Sequence, residues 1–206
     1  MADNEPKGSR WLERVDNLNT SKSNGERAVH KPLLLLAILE KVQQHEKNEF
    51  TYRVMEPIVR KALALFGRGA KSDLKSPKAH YPFWRLQRGK IWRIDNAESF
   101  HNRKGGSQPS RKDINDANAT AYLNPKLWQE LVEKPHLIEQ TVDFILHKYW
   151  APSLHEDIRA FFGFHNKYYD YEGFQRRYLS RTYLARDPQF SPLVLSAYNH
   201  QCAVCG

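Results

Sequence analysis

The most constraining feature of this sequence is a nearly unbroken apolar run, Pro32 to Leu39, within the segment PLLLLAILEKV. Pro32 suits the first turn of a helix, where its missing N–H costs no hydrogen bond. The run is far shorter than the roughly 20 residues that a membrane-spanning helix needs. A helix that is apolar on nearly every side must be surrounded by protein, so the sequence predicts a buried central helix here.

Apolar residues recur at helical spacing along much of the remaining chain. This spacing predicts four further helices, at Trp11–Leu18, Glu56–Phe66, Leu127–Val132 and Leu137–Trp150. Ser110 is a plausible N-cap for another helix that begins near Arg111. A short strand is predicted over Phe50–Val54. The chain is therefore expected to be mostly helical.

Residues 78–94, KAHYPFWRLQRGKIWRI, alternate in the manner of a β-hairpin. The predicted strands are Phe83–Leu86 and Ile91–Ile94, and Gly89 can supply the positive φ that a tight turn needs. Helices combined with one small hairpin or sheet define an α+β fold class. Their order along the chain resembles a winged-helix DNA-binding domain followed by a helical linker.

Length and composition favour a globular protein. With 206 residues, 40 % hydrophobic and 12 % aromatic, the chain can form one large domain or one domain with a small second piece. The polar start MADNEPKGSR, residues 1–10, predicts a flexible tail and not a secretory signal. Two cysteines do not suggest a secreted disulfide scaffold. We therefore expect a soluble cytoplasmic protein with no membrane partner.

Positive charge is concentrated in one part of the chain. From Arg60 to Lys112 there are fourteen Lys and Arg against three acidic residues, a local net charge of +11. The whole chain carries +9, so the remaining residues sum to −2. A localised basic block is typical of a nucleic-acid-binding surface. A solvated basic surface remains the alternative, and a membrane-surface patch fits less well because Gly and Pro break the block.

Two groups of residues are candidates for binding. Tyr81 and Pro82 lie among Lys78, His80 and Arg85, which suits a surface that binds a polyanion and contacts a less polar group as well. His30 and Lys31 precede the central helix, whose free N–H groups favour an anion. Structural roles stay open for both groups: Tyr81-Pro82 could shape the hairpin entrance, and His30 could cap the helix.

The C-terminal segment resembles the opening of an HNH nuclease module. Its signal is the run RDPQF…VLSAYNHQCAVCG, in which Cys202 and Cys205 form a Cys-x-x-Cys pair. The resemblance implies that the pair is half of a structural zinc site, because such a site needs four ligands. A shift in composition after residues 151–153 predicts a helical linker, residues 153–190, and the resemblance implies an incomplete HNH start at residues 191–206. The catalytic His of that family has not appeared, so these 206 residues should not cut DNA.

Two N-terminal motifs point to a more specific family. Arg27-x-x-His30-Lys31-Pro32-LLLL and the later YPFW, together with the HNH-like end, resemble the sulfur-binding domain of McrA-like type IV restriction endonucleases. The resemblance covers roughly residues 10–150 and the final twenty, and it implies a sulfur-binding domain at residues 11–152. It implies binding of double-stranded DNA that carries phosphorothioate linkages. It also implies no cofactor in the DNA-binding domain, with structural zinc and a catalytic divalent metal expected only in the full-length nuclease.

The same resemblance assigns roles to individual residues. Tyr81 and Pro82 would contact sulfur, and Arg85 would either reach a phosphate or narrow the sulfur site. The residues implied in contacts with phosphates and base edges are Arg27, His30 and Lys31 before the central helix, and Arg103, Ser107, Ser110 and Arg111 in the basic loop.

Physical chemistry is consistent with this target. Basic residues bind the charged backbone whether it carries oxygen or sulfur, so they supply affinity with little selectivity. An apolar wall disfavours an oxyanion, which would lose hydrogen bonds there. Three alternatives stay open: a reader of modified bases such as methylcytosine, a winged-helix regulator of unmodified DNA, and a protein-interaction module. The sequence also leaves open whether the protein forms a homodimer.

Overall fold

The computed structural model describes residues 9–23, 26–67, 77–100 and 108–164. These residues belong to one compact unit that ends at Phe164. The α-helices are α1 Arg10–Asp16, α2 His30–Gln43, α3 Tyr52–Phe66, α4 His80–Arg85, α5 Arg111–Asp116, α6 Pro125–Glu133, α7 His136–Tyr149 and α8 His155–Phe161. The strands are β1 Lys22–Ser23, β2 Glu26–Arg27, β3 Phe50–Thr51, β4 Trp92–Ile94 and β5 Thr120–Leu123. Short 3-10 helices cover Leu86–Gly89, Ala97–Phe100 and Pro152–Leu154.

Helix α2 is the centre of the fold, as its apolar sequence predicts. Every side chain from Leu33 to Leu39 is 0 % exposed. Helices α3, α4 and α7 contact α2 from different directions, so no side of it faces water along this stretch. The helix begins at His30, two residues before Pro32, which still places the proline in the first turn. The buried central helix is therefore confirmed.

A small antiparallel sheet lies beside the helices, in the order β3-β5-β4. Phe50 pairs with Ala121, and Trp92 pairs with Leu123. Strand β5 was not predicted from the sequence. Strand β3 ends at Thr51 and not at Val54, because helix α3 already begins at Tyr52. The predicted α+β class, mostly helical with a small sheet, is confirmed.

The predicted hairpin is wrong. Residues 83–86 form no strand, because they belong to α4 and to the 3-10 helix that follows it. Ala79, Phe83 and Leu86 are all buried, and they recur at intervals of four and three, which is the spacing of a helix face. The strand β4 pairs with the distant β5, and the positive φ of the turn, 55°, belongs to Lys90 and not to Gly89. The winged-helix likeness depended on that hairpin and is not confirmed.

Helix α8 adds to the core from within the segment predicted as a linker. It contacts α7, and Ile158, Phe162 and Phe164 are buried in the hydrophobic core. Residues 165–206, with the rest of the predicted linker and the HNH-like segment, lie outside the described residues. Among the described helices, none is long and apolar enough to cross a membrane.

Candidate nucleic-acid interface

A cavity of about 270 Å³ lies between the start of α2, helix α4 and the segments on either side of the β1–β2 ribbon. We call it the α2–α4 cavity. It is lined by Asn19, Thr20, Ser21, Ala28, His30, Lys31, Tyr81, Pro82, Arg85 and Arg88. The fold thus brings His30 and Lys31 together with Tyr81 and Pro82, although the two pairs are far apart in the sequence.

Contacts with Tyr52 and Trp92 hold helix α4 in place, and this positions the residues of α4 that line the cavity. The ring of Phe83 packs edge-on against Tyr52, with 5.1 Å between the ring centroids. The indole N–H of Trp92 donates to the carbonyl oxygen of Phe83 at 3.2 Å. Pro82 is buried and Tyr81 is half-buried on the adjoining side of the helix. Tyr81 and Pro82 therefore form a wall on a rigid support.

Cationic groups surround the ring of Tyr81. The guanidinium carbon of Arg85 lies 5.2 Å from the ring centroid, and Nζ of Lys78 lies 5.7 Å from it. The imidazole of His80 is 4.3 Å away, centroid to centroid. Both cation distances fall within the range of a cation–π contact. Of these three, only Arg85 also lines the cavity.

Lys31 is a half-buried cation of the cavity. Its Nζ donates to the carbonyl oxygen of Asn19 at 2.7 Å. Burial lowers the pKa of Lys31, and the nearby positive charges of Arg85 and Arg88 lower it further. Like charges converge on this cavity, so an anion bound there would relieve their mutual repulsion.

Five lining residues were missed by the sequence analysis: Asn19, Thr20, Ser21, Ala28 and Arg88. The hydroxyl of Thr20 is buried and has no hydrogen-bond partner among the described residues, which makes it available to a ligand. Arg88 follows Arg85 by three positions, and three is a same-face spacing on a helix. If residues 83–88 are taken as helical, Arg88 lies on the same face as Arg85 and becomes a candidate for the same site.

A second polar cluster, outside the cavity lining, involves Glu56 of α3, which is only 7 % exposed. Nε of Arg111 donates to its carboxylate, and Arg60 lies 3.9 Å from it. Burial raises the pKa of Tyr52, and Glu56 raises it further. Burial also lowers the pKa of His80, with Lys78 and Arg111 acting in the same direction and Glu56 opposing them.

The remaining predicted residues have various locations. Arg27 is exposed in β2, outside the cavity lining. Ser110 caps α5 as predicted: its hydroxyl accepts from the backbone N–H of Asp113 at 3.3 Å, and its own N–H donates to the Asp113 carboxylate at 2.8 Å. Arg103, Ser107, Cys202 and Cys205 lie outside the described residues. Within the part of the chain that is described, no group of three or more His, Cys, Asp or Glu could hold a metal ion.

The fold and the cavity define a small α+β domain with a cationic, partly apolar recess, a class of site that suits an anionic polymer. Residues 8–167 match the family described as ScoMcrA-like, DNA sulfur-binding domain. The match covers most of the sequence, so the chain belongs to this family. No curated protein sequence matches the chain.

Solved structures share the fold. The sulfur binding domain of ScoMcrA complexed with phosphorothioated DNA has a TM-score of 0.61 and 20 % identity, covering 71 % of this chain and 92 % of that one. The corresponding domain of SprMcrA, also complexed with phosphorothioated DNA, has a TM-score of 0.55 and 15 % identity, covering 74 % and 93 %. The type IV phosphorothioation-dependent restriction endonuclease ScoMcrA has a TM-score of 0.58 and 20 % identity, and the match covers 77 % of this chain but 29 % of that protein.

Proposed function

We propose that this domain binds double-stranded DNA that carries a phosphorothioate linkage, with the sulfur in the α2–α4 cavity. The observation that carries the proposal is that Tyr81 and Pro82 line the same cavity as Lys31, Arg85 and Arg88. Membership of a DNA sulfur-binding domain family supports this target, as does the modified DNA bound in the related structures.

The cations of the cavity would hold the DNA backbone. A phosphorothioate keeps the negative charge of a phosphate, so Lys31, Arg85 and Arg88 attract either form and supply affinity more than selectivity. The buried hydroxyl of Thr20 can donate to a non-bridging oxygen of the same group. Arg85 is held against the ring of Tyr81, which leaves its guanidinium at the edge of the wall, where it reaches a phosphate.

The apolar wall would supply the selectivity. Sulfur is larger and softer than oxygen and accepts hydrogen bonds poorly. An oxyanion placed against the Tyr81 ring and Pro82 would lose its hydrogen bonds to water, a cost of about 1–3 kcal/mol. Pro82 contributes to the selectivity because it has no N–H that could donate to the oxygen in place of water. A sulfur in the same place loses only weak hydrogen bonds to water, so the modified backbone is preferred.

A competition experiment tests this function against its alternatives. A labelled phosphorothioate duplex bound to the protein is competed with unlabelled duplexes of the same sequence that are plain, methylated at cytosine, or phosphorothioated. We expect the phosphorothioate competitor to displace the label at the lowest concentration. Displacement by the methylated duplex at the lowest concentration would instead indicate a base reader, and equal displacement by all three would indicate a general DNA-binding domain.

We further propose that the domain is the recognition part of a type IV HNH restriction endonuclease that acts in the cytoplasm. The match to ScoMcrA and the Cys202-x-x-Cys205 pair support this role. The two cysteines would give two of the four ligands of a structural zinc ion, and a catalytic divalent metal would belong to the nuclease module.

The nuclease proposal has its own test. Residues 1–206 should bind modified DNA without cutting it, even with added Mg²⁺ or Mn²⁺. Replacing Cys202 and Cys205 by serine should leave the affinity for DNA unchanged. Cleavage of the modified duplex by residues 1–206 would overturn the proposal that the catalytic residues lie outside them.

A further inference from the structure

A second cationic groove adjoins the α2–α4 cavity. It has a volume of about 500 Å³ and lies between α1, the start of α6 and the turn before β4. We call it the α1–α6 groove. Its cationic lining residues are Arg10, Arg14, Lys90 and Lys126, and its acidic one is Glu13. All four cations are exposed.

The two sites meet at two places along the chain. Asn17 lines the groove and Asn19 lines the cavity, while Lys90 lines the groove and Arg88 lines the cavity. Residues two apart are separated by at most about 7 Å. Consecutive phosphates of one DNA strand are spaced by about 3.4 Å along the helix axis. A backbone that leaves the cavity therefore enters the groove within a few nucleotides.

The cations of the groove have no carboxylate partners among the described residues. Within the described ranges, none of Arg10, Arg14, Lys90 and Lys126 forms a salt bridge. Cations elsewhere on the domain do form them, as in the pairs Lys41–Glu46, Lys148–Asp16 and Arg159–Glu139. The positive charge of the groove is therefore available to an external anion. Glu13 is the one acidic residue among the described lining residues.

The walls of the groove are rigid. The backbone N–H of Trp11 donates to the Glu130 carboxylate at 3.1 Å, and its indole N–H donates to Thr141 at 2.8 Å, which fixes α1 on α6 and α7. On the opposite wall, the backbone N–H of Asn124 donates to the carbonyl of Ile91 at 2.8 Å. Binding there requires little ordering of the protein, which favours affinity.

Lys90 has an unusual backbone conformation at the edge of the groove. It has φ 55°, in the left-handed region that glycine occupies without cost, and a lysine there is strained. A strained residue at the edge of a site points to a function of its side chain.

The lining of the groove indicates which part of DNA it would contact. Among the described lining residues of the groove there is no aromatic side chain, so these residues offer no surface on which bases could stack. Guanidinium, ammonium and amide groups are instead the usual donors to phosphate oxygens. We infer that the α1–α6 groove binds the unmodified backbone on one side of the phosphorothioate linkage. The inference rests on the proposed function, since it takes the α2–α4 cavity as the place of the sulfur.

Three variants test the inference by fluorescence anisotropy. The double variant Arg10→Gln, Arg14→Gln removes two charges from the groove. Its matched control, Lys47→Gln with Lys134→Gln, removes two exposed charges that line neither site. The variant Lys90→Gly removes a charge and relieves the left-handed strain, so it should melt no lower than the wild type while binding DNA less tightly.

The DNA is a modified duplex in three forms, with backbone extending from the linkage on both sides, on the 5′ side only, or on the 3′ side only. We expect the Arg10, Arg14 variant to bind about tenfold more weakly to the two-sided duplex and to one of the one-sided forms. For the other one-sided form, the affinity of this variant should change no more than the affinity of the control variant. The salt dependence should fall by about 0.9 in slope for each lost phosphate contact.

Two results would overturn the inference: losses no larger than the control's on every duplex, or equal losses on both one-sided duplexes. A failure of the proposed function would be distinguishable from a failure of this inference. In that case the wild-type protein would bind plain and modified duplexes equally, whatever the groove variants do.

Discussion

Tyr81 and Pro82 are the residues on which discrimination between sulfur and oxygen depends in this account. They form one wall of the α2–α4 cavity, and Pro82 has no N–H that could donate to a bound oxygen. Lys31 and Arg88 add charge to the same cavity. Affinity and selectivity are therefore assigned to different side chains.

Replacing Tyr81 or Pro82 by alanine should reduce binding to phosphorothioate DNA far more than binding to plain DNA. We expect the ratio of the two affinities to fall about tenfold, because the apolar wall is lost while the cations remain. Titrations of each variant with both duplexes give the ratio. Tyr81→Phe is the matched control, since it keeps the ring and should keep the ratio. Equal losses on both duplexes would remove the argument for an apolar wall.

The lowered pKa of Lys31 gives a prediction about pH. Burial and the charges of Arg85 and Arg88 lower its pKa, so it loses its proton as the pH rises through a value below the ordinary 10.5. Loss of that charge weakens the attraction for a phosphate. Affinity for DNA should therefore fall with rising pH below 10.5, and in Lys31→Arg, which stays charged, this fall should be absent. An identical pH profile in both proteins would exclude Lys31 from the contact.

Arg85 is expected to act on the backbone and not on the sulfur. Arg85→Ala should weaken binding to plain and modified duplexes alike, by about tenfold, because it removes one charge-assisted hydrogen bond. Arg93 is a fitting control, since its guanidinium lies 5.6 Å from the ring of Tyr122, a similar arrangement away from the cavity. Arg93→Ala should change neither affinity. A loss restricted to modified DNA in Arg85→Ala would assign the residue to the sulfur contact instead.

At the scale of elements, the site depends on how helices are held together. Helix α4 carries the wall, α2 carries His30 and Lys31, and both rest on the buried residues from Leu33 to Leu39. Helix α5 carries Arg111, whose guanidinium bonds to the buried Glu56 of α3. Ser110 begins α5 with a reciprocal pair of hydrogen bonds to Asp113.

Ser110 should therefore contribute to stability more than to DNA binding. Ser110→Ala removes the capping box and should lower the free energy of unfolding by about 1 kcal/mol, measured by urea denaturation. Affinity for modified DNA should change less than twofold. Ser110→Thr, whose hydroxyl can make the same hydrogen bonds with Asp113, is the control and should retain most of the stability. A variant with unchanged stability and reduced affinity would restore Ser110 as a DNA contact.

The elements also explain which parts of the fold the sequence could reveal. The central helix was predictable because a run from Pro32 to Leu39 without polar residues has no other stable location than the interior. The hairpin prediction failed because a six-residue helix such as α4 is too short for periodicity to distinguish it from an alternating strand. Strand β5 was missed because only its pairing with β3 and β4, which are distant in the chain, makes it a strand.

The candidate site was only partly predictable for a related reason. Tyr81, Pro82, His30 and Lys31 were found from motifs and from the local charge. Thr20 and its neighbours were not, because a polar loop gives no sign of which cavity it closes. That information exists only in the tertiary structure.

At the scale of the whole molecule, the cavity proposed to recognise the sulfur and the cations that attract the DNA backbone lie on adjoining elements. The net charge of +9 favours association with any polyanion. The cavity and the α1–α6 groove concentrate exposed cations on adjoining elements, whereas Arg159 and Lys148 are bound to carboxylates. Such a domain should bind all DNA weakly through the backbone and one modified linkage tightly.

The measurement that tests this account most directly compares two duplexes of one sequence, drawn from a pool of sequence contexts. One carries a single phosphorothioate of Rp configuration, and its twin carries plain phosphate. We expect residues 1–206 to bind the modified duplex about a hundredfold more tightly, a difference of about 2.7 kcal/mol. Equal affinity for the two duplexes in every context would contradict it, and would leave a basic DNA-binding domain whose cavity has another ligand.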